Sequence, residues 1–168
     1  NLNLPLAKNG DKFSNYLTPK LSFKYSPHKT KDISSDSRRL TVGNLFAFDR
    51  IGYANNVEEG GSLTAGLNYY LENDDFDRLL NFDIGASWKD VRNSHLPANS
   101  TLGLKTSDIA GRIEYDPPSF SKTDTTFEFD YDFLLDNDVT TLNYNQFTTR
   151  ISVNRLVTEF KFVKEDNY

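Results

Sequence analysis

The sequence contains no cysteine. Disulfides, thiolate metal sites and a cysteine nucleophile are therefore excluded, while the redox compartment stays open. Methionine is absent too, so the chain is expected to be a processed form or a section of something longer. Only two histidines occur, His28 and His95, in separate loops, and ordinary surface histidines are the default reading. No apolar run approaches the ~18–20 residues of a transmembrane helix, and no signal peptide is visible. Basic residues thin out after the first 50 positions. Residues 1–50 hold 9 Lys/Arg against 4 Asp/Glu, whereas residues 51–168 hold 10 against 20. The net charge of -5 makes a nucleic-acid partner a poor expectation.

What is plentiful is aromatic: 9 Tyr and 13 Phe in 168 residues, a composition that favours strands. At 37% hydrophobic and 26% charged, the chain fits one folded domain. The pattern is clearest in Thr126–Asp132, TFEFDYD. Phe127, Phe129, Tyr131 and then Phe133 alternate with Glu128, Asp130 and Asp132. Successive side chains of a strand point to opposite faces, so this segment builds one aromatic and one anionic face. The same period of two recurs elsewhere, predicting strands near 17–26, 62–72, 78–89, 107–116, 125–135, 140–153 and 156–164. Polar turns separate them: Glu72–Asp77, the Pro117-Pro118 segment within Asp116–Asp124, Asp136-Asn137-Asp138, and a two-residue reversal at Asn154-Arg155. A break in phase between Tyr144 and Phe147 suggests a bulge or loop. The expected fold is all-β: an antiparallel up-and-down meander of about 7–8 strands. One connection, 27–60, is too long for a simple turn and is expected to be functional or to have structure of its own.

An aromatic face this large cannot meet water, because it would forfeit roughly 1.5–3 kcal/mol per large residue. Two covers are open. A soluble barrel turns the apolar face inward. An outer-membrane barrel turns it to lipid, with the polar face lining a lumen. Bulky apolar positions on nearly every strand favour lipid. So does the place of Tyr25, Tyr69, Trp88, Tyr115, Tyr131 and Tyr144 near strand ends, as an interfacial girdle would require. The expected lipid-facing set is Phe23, Tyr69, Phe82, Trp88, Tyr115, Phe127, Phe129, Tyr131, Phe133 and Phe147. The expected lumen-facing set is Lys20, Lys24, Arg112, Glu114, Glu128, Asp130, Asp132 and Arg150.

Leu17–Pro27, LTPKLSFKYSP, and Asp49–Tyr69, DRIGYANNVEEGGSLTAGLNY, resemble the barrel domain of the LptD (organic solvent tolerance protein) family of lipopolysaccharide assembly. In that family an L-x-P strand leads into a long loop bearing a D-R-x-x-x-A-N-Q-like stretch, then a glycine and a descending strand. The matching positions are Asp49, Arg50, Ala54, Asn55 and Gly60, with Asn56 where the family has Gln. The resemblance implies that the meander is part of a larger outer-membrane β-barrel, an internal section of its wall. The periplasmic jelly roll, the family's cysteines and the gate strands would lie outside it, and the polar Lys164–Tyr168 ending does not read as a closing strand. It implies lipopolysaccharide transport without bond chemistry or cofactor. The implied partners are lipopolysaccharide, outer-membrane lipid, an LptE-like lipoprotein plug and a periplasmic lipopolysaccharide bridge. It also implies that Arg50 and Asn55 anchor the long loop at the barrel mouth. A soluble lipocalin-like barrel binding a small apolar ligand, or another porin or receptor barrel, remains the alternative.

Other constellations yield to plainer readings. Glu72-Asn73-Asp74-Asp75 lacks the glycine and distal glutamate of a calcium loop and reads as turn chemistry. Glu114, Glu128, Asp130 and Asp132 could supply paired acids for glycoside hydrolysis, but nothing singles out one raised pKa among mutually repelling carboxylates. No catalytic, cofactor or metal residues are assigned, and no enzyme is expected. The basic cluster His28, Lys29, Lys31, Arg38 and Arg39 is expected either to be solvated or to face outward toward lipopolysaccharide phosphates.

Overall fold

The computed structural model describes residues 1–52, 55–118 and 125–166. Ala54 of the family-like stretch, part of the Asp116–Asp124 turn, and the terminal Tyr168 lie outside them. The architecture is one all-antiparallel sheet that does not close, in which consecutive strands are neighbours except the first two, which both pair with the third. Its strands are β1 (Leu2–Asn3), β2 (Leu6–Asn9), β3 (Phe13–Ser26), β4 (Gly60–Asn73), β5 (Arg78–Lys89), β6 (Ile109–Tyr115), β7 (Thr125–Leu135), β8 (Leu142–Val153) and β9 (Leu156–Glu165). The one α-helix among the described residues, α1, is a single turn at Val42–Leu45 inside the β3–β4 loop.

Two short strands, β1 and β2, precede the seven long ones and carry no alternation signal, because Pro5 splits a stretch already too short to show a period. Both pair with β3. Between them the Leu4 N–H donates to the Pro19 carbonyl at 3.1 Å. The polar edge of Pro19 thus faces away from β4, so the N–H that Pro19 lacks is one that β4 does not need. The bulge falls in the β7–β8 pairing, where Leu134 faces Tyr144 and Leu135 faces Leu142, leaving Asn143 as the extra residue. The phase therefore shifts before Tyr144.

Segments 27–59 and 90–108, the two longest connections, leave one end of the sheet together with 136–141, while β4 and β5, β6 and β7, and β8 and β9 are joined at the other. The tight Asn73 turn closes on itself, its side-chain oxygen accepting from the Asp75 and Asp77 N–H groups at 3.0 and 2.8 Å. Asn154 completes the two-residue reversal at φ 54.

The two faces differ in what covers them. The residue row Leu17–Tyr69–Phe82–Ile113–Tyr131–Phe147–Phe162 runs across the seven long strands on one face. Its aromatics touch laterally: Phe147 lies 5.4 Å from Phe162, 5.6 Å from Phe160 and 6.4 Å from Phe129 between ring centroids. Nothing described lies over this face, and Phe23 is 72% exposed, Tyr25 65% and Trp88 44%. The buried hydrophobic core sits on the opposite, polar face. It joins Ile33, Leu40, Leu45, Ile51, Leu96 and Leu102 of the two long loops to Ala110, Leu134 and Tyr144 of the sheet.

Candidate functional site

The polar face is where long-range side chains converge. One row across it reads Lys20–Gly66–Gly85–Ala110–Leu134–Tyr144–Glu165 from β3 to β9. Gly66 and Gly85 are directly paired and leave bare backbone. A Cβ on Gly85 would stand 2.7 Å from Leu45 Cδ2, and one on Gly66 would stand 2.9 Å from the Phe46 ring. The missing side chains therefore form the recess into which α1 seats. The helix is defined locally by a capping box: Asn44 N–H donates to Thr41 Oγ1, and Thr41 N–H to Asn44 Oδ1 at 2.8 Å. Upstream, Arg39 lies over the Tyr144 ring at 3.9 Å and pairs with Glu165 at 2.5 Å. Residues 39–50 thus form a strap along this row.

The strap ends in a buried ionic cluster. Arg50 is 4% exposed and Glu58 2%. Arg50 grips Glu58 in a fork, Nε to Oε1 at 2.8 Å and Nη2 to Oε2 at 2.7 Å. Its other protons go to Ser87 Oγ at 2.6 Å, Thr64 Oγ1 at 3.2 Å and Ser62 Oγ at 3.1 Å. All five guanidinium donors are used, and each hydroxyl is supplied by β4 or β5. Lys24 of β3 reaches Glu58 Oε1 at 3.0 Å and the Phe48 carbonyl at 2.8 Å, while Lys89 of β5 lies 3.4 Å from Oε2. One carboxylate serves three cations. Burial pushes the Glu58 carboxyl up, but the Arg50 hydrogen bonds and the charges of Arg50, Lys24 and Lys89 outweigh it and hold the group below its ordinary value.

Away from the ionic cluster the polar face is laced by ion pairs, most of them across strands. Lys20 meets Asp83 at 3.1 Å, Arg112 meets Asp132 at 2.6 Å and Glu114 at 3.7 Å, and Arg150 meets Glu128 at 3.0 Å and Glu159 at 2.9 Å. Glu114 also accepts from Asn81 at 2.6 Å. Asp130 shares the face by register, opposite Thr148. Near the short-turn end, Tyr16 stacks on Tyr70 at 4.4 Å and Arg78 lies over Tyr70 at 4.1 Å.

Residues singled out in the sequence now have places. Lys20, Lys24, Arg112, Glu114, Glu128, Asp130, Asp132 and Arg150 share the polar face with the strap. Phe23, Tyr69, Phe82, Trp88, Tyr115, Phe127, Phe129, Tyr131, Phe133 and Phe147 share the other. Tyr144 is a correction: the phase shift at Asn143 turns it under Arg39, so it belongs to no aromatic girdle. A second correction concerns the loop anchor. Asn55 is exposed at φ 60, whereas its neighbour Asn56 is buried, accepting from Lys31 N–H at 2.8 Å and donating to the Lys31 carbonyl at 3.2 Å. Asp49 is exposed and caps the Gly52 N–H at 2.8 Å, and Gly60 opens β4 at φ 81. Of the basic run, Arg38 is exposed and Arg39 half-buried. Arg38 bonds the Ile51 carbonyl and Asp36, and Arg39 is engaged as above. Glu58, Lys89, Ser62, Thr64 and Ser87 were not singled out as site residues. Their only sequence signal is a charge or hydroxyl at polar-phase strand positions, shared with many solvated residues.

No curated protein matches the chain. A family model described as LPS transport system D matches residues 1–159. With an all-antiparallel meander and one aromatic face left bare, the chain belongs to the LPS transport system D (LptD) family, outer-membrane proteins of lipopolysaccharide transport.

Proposed function

We propose that this sheet is a wall section of the translocon that inserts lipopolysaccharide into the outer leaflet. The aromatic set from Phe23 to Phe147 faces lipid, and the polar set from Lys20 to Arg150 lines a hydrated lumen. The observation that carries this reading is the inversion of cover. Folded loops bury part of the polar face, while none of the described residues lies over the aromatic face, which has most to lose in water. A soluble lipocalin-like barrel needs the opposite arrangement. The long connections share one end, as the external loops of outer-membrane barrels do, so that end faces the exterior. By family resemblance, lipopolysaccharide arrives from a periplasmic bridge and an LptE-like lipoprotein occupies the lumen. The protein acts as a shaped passage rather than an enzyme.

Trp88, the single tryptophan, tests the orientation. Refolded into vesicles, its emission should be quenched by lipids brominated on their acyl chains and shielded from aqueous acrylamide. Acrylamide quenching without lipid quenching would reject the lipid-facing assignment.

A further inference from the structure

We propose that the aromatic face carries a seat for one outer-leaflet lipid, at the end of the sheet where the long connections leave, and that its occupant is the lipid A part of lipopolysaccharide. This rests on reading that face as lipid-facing and that end as exterior. The seat is a gap in an otherwise filled surface. Among the described strands, two positions of the aromatic face are glycine, Gly61 of β4 and Gly111 of β6. The Phe133 ring closes the space over Gly111, where a Cβ would stand 2.0 Å from it. At Gly61 the nearest ring atom, Tyr25 Cδ2, stays 4.0 Å from the same point. Gly61 lies opposite Tyr25, and Leu63 pairs with Phe23 on one side and Trp88 on the other. The slot so formed encloses about 370 Å³, with Phe23, Tyr25 and Trp88 as walls and Gly61 and Leu63 as floor. An acyl chain in it is contacted from several sides, and dispersion adds up with each contact. Around Phe147 the rings of Phe129, Phe160 and Phe162 fill that space themselves.

The headgroup chemistry is set by what lies just beyond the slot. Asn93 Nδ2 donates to Thr30 Oγ1 at 2.6 Å, which stitches the starts of the two long connections together. Lys29 and Lys31 flank Thr30, and Arg92 precedes Asn93; all three are exposed. None of them forms an ion pair among the described residues. Val91, next to Arg92, packs by Gly60: its Cγ2 lies 2.9 Å from where a Cβ would stand, one residue from the slot floor. Two acids lie near. The Glu59 N–H donates to Thr30 Oγ1 at 3.0 Å, and Asp90 Oδ1 accepts from the Gly61 N–H at 3.0 Å. Asp90 thus closes the slot to phosphate and sets it for the acyl chain, while the phosphate seats beyond, on Arg92 and the two lysines. In the exterior leaflet that this protein family supplies with lipopolysaccharide, lipid A carries both parts.

The test uses the full-length protein refolded into phosphatidylcholine vesicles, with every other tryptophan replaced by phenylalanine so that Trp88 reports alone. Brominated phosphatidylcholine quenches Trp88, and unbrominated lipid A is titrated in to displace it. Half of the quenching should be relieved at a lipid A fraction at least about tenfold lower than for a Phe129→Trp reporter on the same face, read in a Trp88→Phe background. Gly61→Leu, which fills the slot, should abolish that difference. So should the joint change Lys29→Ala, Lys31→Ala and Arg92→Ala, which alters exposed side chains and leaves the sheet intact. Equal relief at the two reporters overturns the site, since it is what ordinary bilayer contact gives. A preference that survives both sets of changes overturns it as well. Phosphatidylglycerol displacing as strongly as lipid A overturns the choice of occupant. Failure of the lipid-facing reading looks different: brominated lipid would then quench neither reporter.

Discussion

Replacing Arg50 by alanine should release the loop without dissolving the sheet. The guanidinium uses all five donors, two on Glu58 and three on the hydroxyls of Ser62, Thr64 and Ser87. Breaking a buried ion pair by removing one partner costs about 3–5 kcal/mol. Lys24 and Lys89 still face Glu58 afterwards, so the loss belongs at the lower limit, about 3 kcal/mol. If the loop opens as a local unit, that loss multiplies the open population by about 100-fold. Hydrogen exchange reads this directly. The Leu45 N–H, bonded to the Thr41 carbonyl at 2.9 Å, and the Lys31 N–H, bonded to Asn56, should exchange about 100-fold faster. Amides of the β7–β8 ladder should hold. Arg50→Lys should not rescue, because one ammonium cannot reproduce a planar fork and three further bonds. Acceleration below about fivefold would equal roughly 1 kcal/mol, the value of an exposed pair. That result would refute the claim that this cluster holds the loop.

Four further outcomes are expected. Gly111→Ala places a Cβ 2.0 Å from the Phe133 ring that covers Gly111 across β6 and β7; denaturant titration of the refolded protein should lose about 1–3 kcal/mol, partly recovered with Phe133→Leu. Gly85→Leu fills the recess that holds Leu45, so exchange of the 41–47 amides should accelerate while the strands stay protected. The Glu58 carboxyl titrates below its ordinary 4.5 when folded, so its stabilising contribution is complete above that pH and disappears as pH falls through the folded value; loop protection should be flat from neutral pH to about 4.5 and decline only below it. Phe129→Lys should cost about 2–4 kcal/mol in equilibrium folding into vesicles if the position sits near the bilayer midplane, with Asp130→Asn nearly silent.

Much of the sheet was legible because its rule is local. Strand side chains alternate by geometry, so Phe127, Phe129, Tyr131 and Phe133 declare a face within seven residues. Turns are equally local: Asn73 and Asn154 act on neighbours. The strap was not legible. Gly66 and Gly85 read as neutral members of the polar phase, yet their meaning is an absence that only Leu45 and Phe46, tens of residues away, make use of. Ala110 and Leu134 break the polar phase quietly, and Tyr144 reads as an aromatic of the lipid side until the extra residue Asn143 is counted. The anchoring asparagine was off by one, because Asn55 and Asn56 are chemically equal and only the backbone turn at Asn55 decides which side chain points inward.

The sequence by itself determined the strands, their two chemically opposed faces, and a family motif in the long loop. Each of these depends on neighbours or on a short pattern. Tertiary structure alone decided which face is covered. Arg50 and Ser87, or Arg39 and Glu165, are separated by long stretches of chain, and nothing in the residue types announces that they meet. Their contacts exist because register aligns glycines, hydroxyls and lysines from three strands beneath one loop. Register belongs to the assembled sheet, and no single strand carries it.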